Sequence, residues 1–301
     1  MFQSLQFDKV VIVGVGLLGG SLARDINRLN LAKTVVGVCR SEKTAKAAIS
    51  ERIVDQVQDL AEACNNADLI VLATPMQAMV PVLIDLAPHI GSQTILTDVG
   101  SVKTDLYSQI KHHVPELLSR FVFAHPIAGG EDSGVLASKS GLFQDKHVII
   151  TDTEEAPSSI CGIVAQLWQA LGARVLHMSL FEHDSIFAKT SHLPHVIAFS
   201  LVNFLSAQQD KERLFDLAAA GFYDFTRIAS SDAEMWRDIC ITNKEQVLLA
   251  LDGFKQQIDQ IREDVAKADQ AAILQYFGKA KQARDQGLLK KVERQAKNTI
   301  Y

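Results

Sequence analysis

Short apolar runs alternate with helical patterns through the first part of the chain. Runs that are apolar throughout, rather than at every second position, are typical of strands buried on both faces of a sheet. The pattern ends near Ser179. It predicts an α/β, Rossmann-type, doubly wound parallel sheet. The runs are VVIVGVG, TVVGVCR, LIVLATP, TILTDVG, FVFAHP, HVIITDT and RVLHMS.

From Phe181 onward the sequence indicates helices alone. We therefore predict a sheet domain over residues 1–179 and an all-α domain over residues 180–301. Apolar residues recur at three- and four-residue spacing in NKEQVLLALDGFKQQIDQIREDV, a stripe that suits a self-contained bundle or a dimer interface. Pro194 is expected to kink the first helix of this domain.

Charge and cysteine content exclude several classes of protein. The net charge is -5 over 301 residues, and no strongly basic face is evident, which argues against a nucleic-acid partner. The four cysteines form no CxxC pair, so neither a disulfide framework nor a zinc site is expected. No signal peptide or membrane span is predicted, and a cytoplasmic location is expected.

The first strand runs directly into a GxGxxG pattern, made by Gly14, Gly16 and Gly19. In such a turn the first glycine permits the tight bend, the second lets the backbone approach a pyrophosphate, and the third lets the helix lie close to the strand. The helix begins at Leu17 and Leu18, where free N–H groups favour phosphate. A turn that served packing alone would not require these offsets. The sequence therefore predicts a dinucleotide site.

The residues after the second strand bear on which dinucleotide binds. A carboxylate here would normally bind the ribose hydroxyls of NAD, but the chain has Cys39, Arg40 and Ser41, followed by Lys43. A guanidinium, a hydroxyl and an ammonium suit a 2′-phosphate better, so NADP is favoured over NAD. If Arg40 instead stacks on adenine, either cofactor could bind.

Further candidates follow the later strands, where ligands of such sheets bind. Thr74 and Pro75 follow the run LIVLA and are expected near the cofactor. Ser101 also precedes a helix, so a helix-capping role is the alternative. His125 ends the fifth run, where an imidazole can act as a general base near neutral pH.

In the helical part, the stretch EHDSIFAKTSHLPHV contains His183, Asp184, His192 and His195. His192 and His195 are three residues apart and share a helix face, so at least one is expected to face a cleft. A metal site lacks a fourth ligand at a known spacing, and we predict none.

The stretch GFYDFTRIASSDAEMWRDI places Arg227 before an expected capping box of Ser231 and Glu234. An arginine held beside a helix start can bind a carboxylate through two parallel hydrogen bonds. The alternative is an ion pair with a neighbouring aspartate. Arg237, inside the helix, is expected to be structural.

Five of these motifs together resemble the prephenate dehydrogenase family, which includes arogenate and cyclohexadienyl dehydrogenases. They are VGVGLLGGSLA, TDVGSVK, FVFAHPIAG, SHLPH and GFYDFTRIASSDAEMWRDI, and they occur in both domains in the family's order. The resemblance implies NAD(P)-dependent oxidative decarboxylation of prephenate to 4-hydroxyphenylpyruvate, of arogenate to tyrosine, or of both.

The resemblance also implies residue roles. His125 would accept the proton of the ring hydroxyl while hydride leaves the same carbon, and Ser101 would hydrogen-bond that region. Arg227 would bind a substrate carboxylate, and His195 would line the substrate pocket. From its position beside His195, we expect His192 in the same pocket. The helical domain would form a homodimer. The alternatives are a β-hydroxyacid dehydrogenase or imine reductase of similar architecture, and a noncatalytic NADP-binding sensor.

Overall fold

A computed structural model of the chain describes residues 5–130 and 132–297, with side chains through Lys290. Its centre is one eight-stranded sheet in the order β3-β2-β1-β4-β5-β6-β7-β8. The predicted Rossmann-type sheet followed by helices is confirmed. The strands are β1 (Phe7–Val13), β2 (Ala32–Val38), β3 (Gln56–Val57), β4 (Leu69–Leu72), β5 (Ile95–Asp98), β6 (Phe121–Pro126), β7 (His147–Thr151) and β8 (Arg174–Met178).

Helices cover both faces of the sheet, because successive strand residues pack into two different cores. In β1, Val10 and Ile12 belong to one core and Val11 and Val13 to the other, and β4 alternates in the same way. All four are at most 3% exposed. Burial on both faces explains why these runs are continuously apolar in the sequence.

The sheet departs from the predicted parallel arrangement at β7, which pairs antiparallel with β6. Among the described residues of the connection, 127–130 and 132–146, there is no α-helix, and Val135–Ala137 form a short 3₁₀ turn. The chain therefore enters β7 at the same edge where it left β6. Helix α6 (Ser158–Ala170) then crosses over, and β8 pairs parallel with β7.

The helical part begins after β8, as the sequence predicts. One turn of π-helix, Ala188–His192, separates its first two helices, and Pro194 lies in the first turn of the second. Pro194 thus follows a local change of helix type, and the kink itself remains a prediction. The helices are α1 (Leu17–Arg28), α2 (Glu42–Ser50), α3 (Leu60–Cys64), α4 (Met76–Leu86), α5 (Thr104–His113), α6 (Ser158–Ala170), α7 (Leu180–Phe187), α8 (Leu193–Ser206), α9 (Lys211–Asp216), α10 (Ala220–Thr226), α11 (Ala233–Thr242), α12 (Lys244–Ala266) and α13 (Gln270–Lys297).

By compactness the chain divides between Val247 and Leu248, inside α12. The first unit holds the sheet and helices α1 to α11, and the second holds the rest of α12 and α13. The predicted boundary at residue 179 concerns a different division, by secondary-structure class, and remains a prediction. No helix within residues 5–130 and 132–297 is long and apolar enough to cross a membrane.

Candidate active site

A cavity of about 1080 Å³ lies where several strands of the sheet end. Gly16 follows β1, Thr74 follows β4, Ser101 follows β5, and His125 lies near the end of β6. All four residues line the cavity. Phe187 and residues of the π turn, α8 and α11 complete the lining. The cavity thus occupies the position at which ligands bind in open α/β sheets.

Most of the predicted site residues line this cavity. Within the described part of the chain, its lining does not include Gly14, Gly19, Ser41 or Arg227. The predicted residues in the lining are Gly16, Leu17, Leu18, Arg40, Thr74, Pro75, Ser101, His125, His192 and His195.

The three glycines of the turn have different surroundings. Gly14 has φ +98°, and a Cβ there would lie 2.6 Å from the carbonyl oxygen of Ala73. A Cβ on Gly19 would lie 2.2 Å from the carbonyl oxygen of Gly14. A Cβ on Gly16 would meet no atom within 4 Å. Gly14 and Gly19 are therefore required for packing, whereas Gly16 leaves open space at the cavity.

The start of α1 lies at this cavity, which Gly16, Leu17 and Leu18 line. Its N-cap is a glycine, which has no side chain to cap the first N–H groups of the helix. Nearby, the hydroxyl of Thr74 is buried without a hydrogen-bond partner. Main-chain N–H groups at a helix start, next to an empty position, suit a phosphate group. These features fit the predicted dinucleotide.

Arg40 and Ser41 have separate positions after β2. Arg40 is exposed and lines the cavity. The hydroxyl of Ser41 accepts a hydrogen bond from the Thr44 N–H at 3.2 Å and so caps α2. No acidic residue stands between β2 and Glu42, the first residue of α2. A role for Ser41 in binding a ligand remains a prediction.

Ser101 does not cap the helix that follows it. The N-cap position of α5 is Lys103, and no side chain of its own segment caps the helix. Instead the Asp184 carboxylate accepts hydrogen bonds from the N–H groups of Lys103, at 2.9 Å, and Thr104, at 2.8 Å. The capping alternative for Ser101 is therefore wrong, and its side chain lies at the cavity.

His125 is held by a second histidine. The distance from its Nδ1 to Nε2 of His183 is 2.8 Å, and Nδ1 of His183 lies 2.8 Å from Oδ1 of Asp184. Phe187 packs edge-on against the His125 ring, with centroids 5.0 Å apart. Burial, followed by the nearby His183, Lys103 and His192, holds the pKa of His125 well below 6.5. The imidazole is therefore neutral at pH 7.

A fully buried ion pair fixes the backbone beside His125. The Lys103 ammonium contacts the Asp98 carboxylate and donates to the carbonyl of Ala124 at 2.7 Å. The other Asp98 oxygen accepts from the N–H of Ala124 at 3.1 Å. The main-chain N–H and C=O of Ala124, the residue before His125, are thus both hydrogen-bonded to buried charged side chains. A Cβ on Gly100 would lie 2.9 Å from the same carboxylate, so the glycine of DVGSVK is needed here.

The two other predicted histidines are neutral as well. His192 is buried, and burial lowers its pKa to about 4; its Nδ1 lies 3.1 Å from Nδ2 of Asn243. Burial also lowers the pKa of His195, whose Nδ1 donates to the Ser191 carbonyl at 2.9 Å. The His195 ring stacks on Trp236 with centroids 3.7 Å apart. Both histidines line the cavity as predicted.

The region of Arg227 differs from the prediction in two ways. The capping box is wrong, because Asp232 caps α11 and accepts from the Met235 N–H at 2.8 Å. Arg237, expected to be structural, lines the cavity while also donating to Asp238 through two nitrogens. Arg227 lies in the 3₁₀ turn Arg227–Ser230, and its role in carboxylate binding remains a prediction.

Sequence reasoning missed the residues behind His125. The sequence pattern indicates His183 and Asp184 only as possible metal ligands, and it indicates no role for Lys103. Their adjacency in EHD was a visible signal, but the partners lie 58 to 81 positions away. Among the described residues, no group of three or more histidine, cysteine or acidic side chains is arranged to bind a metal.

Comparison with known proteins agrees with this geometry. Residues 22–177 match the family model described as prephenate dehydrogenase, nucleotide-binding domain, and residues 180–279 match that described as prephenate dehydrogenase, dimerization domain. Cyclohexadienyl dehydrogenase of Zymomonas mobilis is 34% identical over 281 residues, which cover 92% of this chain and 95% of the relative. Prephenate dehydrogenase of Bacillus subtilis is 34% identical over 285 residues, 92% of this chain and 76% of the relative.

A solved structure gives the same result for the fold. The crystal structure of prephenate dehydrogenase from Aquifex aeolicus, in complex with hydroxyphenyl propionate and NAD+, superimposes with a TM-score of 0.88. It is 33% identical in sequence, and the match covers 94% of this chain and 99% of that one. The chain is a dehydrogenase that belongs to the prephenate dehydrogenase family.

Proposed function

We propose that the chain catalyses NAD(P)-dependent oxidative decarboxylation of prephenate to 4-hydroxyphenylpyruvate, of arogenate to tyrosine, or of both. The observation that carries the proposal is the position of His125. It is a neutral imidazole on the same cavity as the glycine turn and Ser101. A hydroxyl that loses hydride from its own carbon must also lose its proton, and a base within hydrogen-bond reach lowers that barrier.

In the proposed reaction His125 takes the proton of the C4 hydroxyl as C4 loses hydride. When bound, the oxidised nicotinamide supplies the hydride acceptor. The product at C4 is a ring carbonyl. The bond from C1 to its carboxylate then breaks, carbon dioxide leaves, and the electron pair makes the ring aromatic. The C4 oxygen becomes a phenolate, which regains a proton from His125. We assign Ser101 to hydrogen-bond the C4 oxygen.

The cofactor would be held by the residues around the glycine turn. The N–H groups at the start of α1, with the open space at Gly16, suit its pyrophosphate, and the unpartnered hydroxyl of Thr74 is a further donor beside Pro75. We propose NADP in preference to NAD. Arg40 lines the cavity after β2 and can bind a 2′-phosphate. An acidic residue at this position would repel that phosphate. The Aquifex aeolicus protein was solved with NAD+, so NAD is the alternative.

We assign His192 and His195 to the substrate side of the cavity, because both residues line the cavity. The ligand named for the Aquifex aeolicus structure, hydroxyphenyl propionate, joins a phenol to a carboxylate. A ligand of that kind requires an apolar wall and polar partners at both ends. Phe187 and Trp236 provide aromatic surface in the lining, and Arg227 remains the predicted carboxylate ligand.

We further propose a homodimer formed by the helical region, in the cytoplasm. Residues 180–279 match a dimerization domain. The second unit by itself exposes large apolar side chains, including Leu249 at 64%, Leu274 at 74% and Phe277 at 58%. Exposed apolar surface of this kind usually marks an interface. Light scattering coupled to size exclusion should give twice the mass of one chain.

The test is a nicotinamide absorbance assay with prephenate and arogenate, each with NAD and NADP. We expect turnover with at least one substrate, and no turnover with either would refute the proposal. An Arg40→Ala variant should lose roughly tenfold in kcat/KM with NADP and little with NAD, since it removes one exposed charge-assisted contact. Lys46→Ala, which removes a surface cation from α2, is the matched control and should change neither.

A further inference from the structure

We propose that His183 and Asp184 are positioning residues that fix the tautomer of His125, with the proton on Nδ1 and the lone pair on Nε2. The inference rests on the proposed function only for the use of that lone pair. Four polar groups are hydrogen-bonded in a row: the start of α5 at Lys103 and Thr104, then Asp184, then His183, then His125.

The direction of each hydrogen bond follows from the charge state of Asp184. Its carboxylate accepts main-chain hydrogen bonds from Lys103 and Thr104, and these N–H groups can only donate. Burial alone would raise the pKa of Asp184, but its hydrogen bonds from His183 and from the start of α5 outweigh burial and lower it. Asp184 is therefore an anion at neutral pH and can only accept.

His183 must then donate to Asp184. Its Nδ1 lies 2.8 Å from Oδ1 of Asp184, so Nδ1 carries the proton. The side chain of His183 is fully buried, and burial lowers its pKa against the opposing effect of Asp184. A neutral imidazole with a proton on Nδ1 has a lone pair on Nε2. His183 is therefore an acceptor at the atom that faces His125.

The contact between His183 and His125 is the last hydrogen bond of this series. Nε2 of His183 lies 2.8 Å from Nδ1 of His125, and two lone pairs would repel at this distance, so Nδ1 of His125 carries a proton. Because His125 is neutral, its Nε2 has none. Nε2 is then the ring atom that can take a proton from a hydroxyl in the cavity. Asp184 thus defines the basic atom of a ring it does not touch.

The surrounding charges support the same protonation state. Lys103 and His192 both lower the pKa of His125 and so disfavour a second proton on its ring. Asp98 bonds to Lys103 and to the Ala124 N–H. Lys103, His183 and His192, which face His125 from the start of α5, from α7 and from the π turn, therefore favour a neutral ring.

The first test reads the tautomer directly. Histidine labelled with ¹⁵N in the wild-type protein gives distinct long-range ¹H–¹⁵N patterns for the two tautomers, and the His125 signals are assigned by their loss in His125→Asn. We expect a proton on Nδ1 and none on Nε2 at pH 7. A proton on Nε2 would overturn the inference. This readout needs no substrate, so it stands whether or not the proposed reaction does.

The second test is kinetic. His183→Leu removes the acceptor, and kcat should fall roughly 10²- to 10⁴-fold, as in enzymes whose catalytic histidine loses its tautomer-fixing partner. The KM values should change less than about threefold, because His183 is fully buried and is not among the residues that line the cavity. His183→Gln keeps an amide oxygen that can accept from His125, and it should retain more activity than His183→Leu.

A matched control is available on β8. His177 also pairs through Nδ1 with a carboxylate, Asp152, at 2.9 Å, but both residues are exposed. His177→Leu should leave kcat unchanged. If His183→Leu folds with the circular dichroism of the wild type and keeps its kcat, while His125→Asn loses activity, the proposed function survives and the tautomer inference fails.

Discussion

At one end of the cavity a ligand would meet main chain, and at the other it would meet side chains. The turn after β1 presents N–H groups and the empty position at Gly16. The end of β6 presents His125, with His183 and the Asp98–Lys103 pair buried behind it. The first arrangement requires small residues at fixed spacing, whereas the second requires charged residues brought together from distant segments. Their sensitivities to mutation and pH should therefore differ.

The largest effect is expected at the side-chain end. His125→Asn keeps a hydrogen-bonding side chain but removes the base, so kcat with the preferred substrate should fall roughly 10²- to 10⁴-fold. Binding of the cofactor, followed by nicotinamide fluorescence, should change little, because the glycine turn is untouched. Wild-type turnover in this variant would exclude His125 as the base.

The next effect concerns stability. Lys103→Met leaves the buried Asp98 carboxylate without its cation and should lower the free energy of unfolding by about 3–5 kcal/mol. Lys46→Met breaks an exposed pair with Glu42 and should cost less than about 1 kcal/mol. Urea unfolding of both variants gives the comparison. Equal costs would show that the buried pair contributes no more than a surface pair.

Acid should also destabilise the side-chain end. His192 has a pKa of about 4 in the folded protein and about 6.5 when unfolded, so between these values the unfolded chain binds a proton that the folded chain does not. Its contribution to stability is present above pH 6.5 and is lost as pH falls toward 4. Between pH 7.5 and 5 the loss is about 2 kcal/mol.

Urea unfolding at the two pH values measures this loss, with His192→Gln as the reference that does not titrate. The glutamine variant should lose about 2 kcal/mol less than the wild type over this interval. An identical loss in both proteins would assign the acid sensitivity to other groups, of which His125 and His183 are the first candidates.

The smallest effects separate packing from ligand contact at the main-chain end. Gly19→Ala forces a Cβ to within 2.2 Å of the Gly14 carbonyl oxygen and should destabilise the fold by about 1–3 kcal/mol. Gly16→Ala meets no atom within 4 Å, so the fold should keep its stability within about 0.5 kcal/mol.

With Gly16→Ala, cofactor affinity should still weaken roughly tenfold or more, since the added methyl fills space assigned to the pyrophosphate. Isothermal titration with each dinucleotide, set beside urea unfolding, measures both quantities. Unaltered affinity in Gly16→Ala would place the pyrophosphate elsewhere.

The main-chain end of the cavity could be predicted from the sequence more fully than the side-chain end. The glycine turn and the strand-end positions of Ser101 and His125 were predictable, because spacing along one segment determines them. The antiparallel direction of β7 was not, since it depends on the absence of a helix in a connection that could have formed one. Nor was the role of Asp184, because it lies on a different element from the helix it caps.

The same capping bond has a consequence for folding. Asp184 and Lys103 are 81 positions apart, and closing so long a loop costs chain entropy that other contacts must first offset. A chain whose strands have formed but whose α7 has not reached α5 has His125 in place without the partner that selects its proton. During refolding, activity should therefore return after the sheet has formed. The time course of its recovery would report when α7 packs against α5.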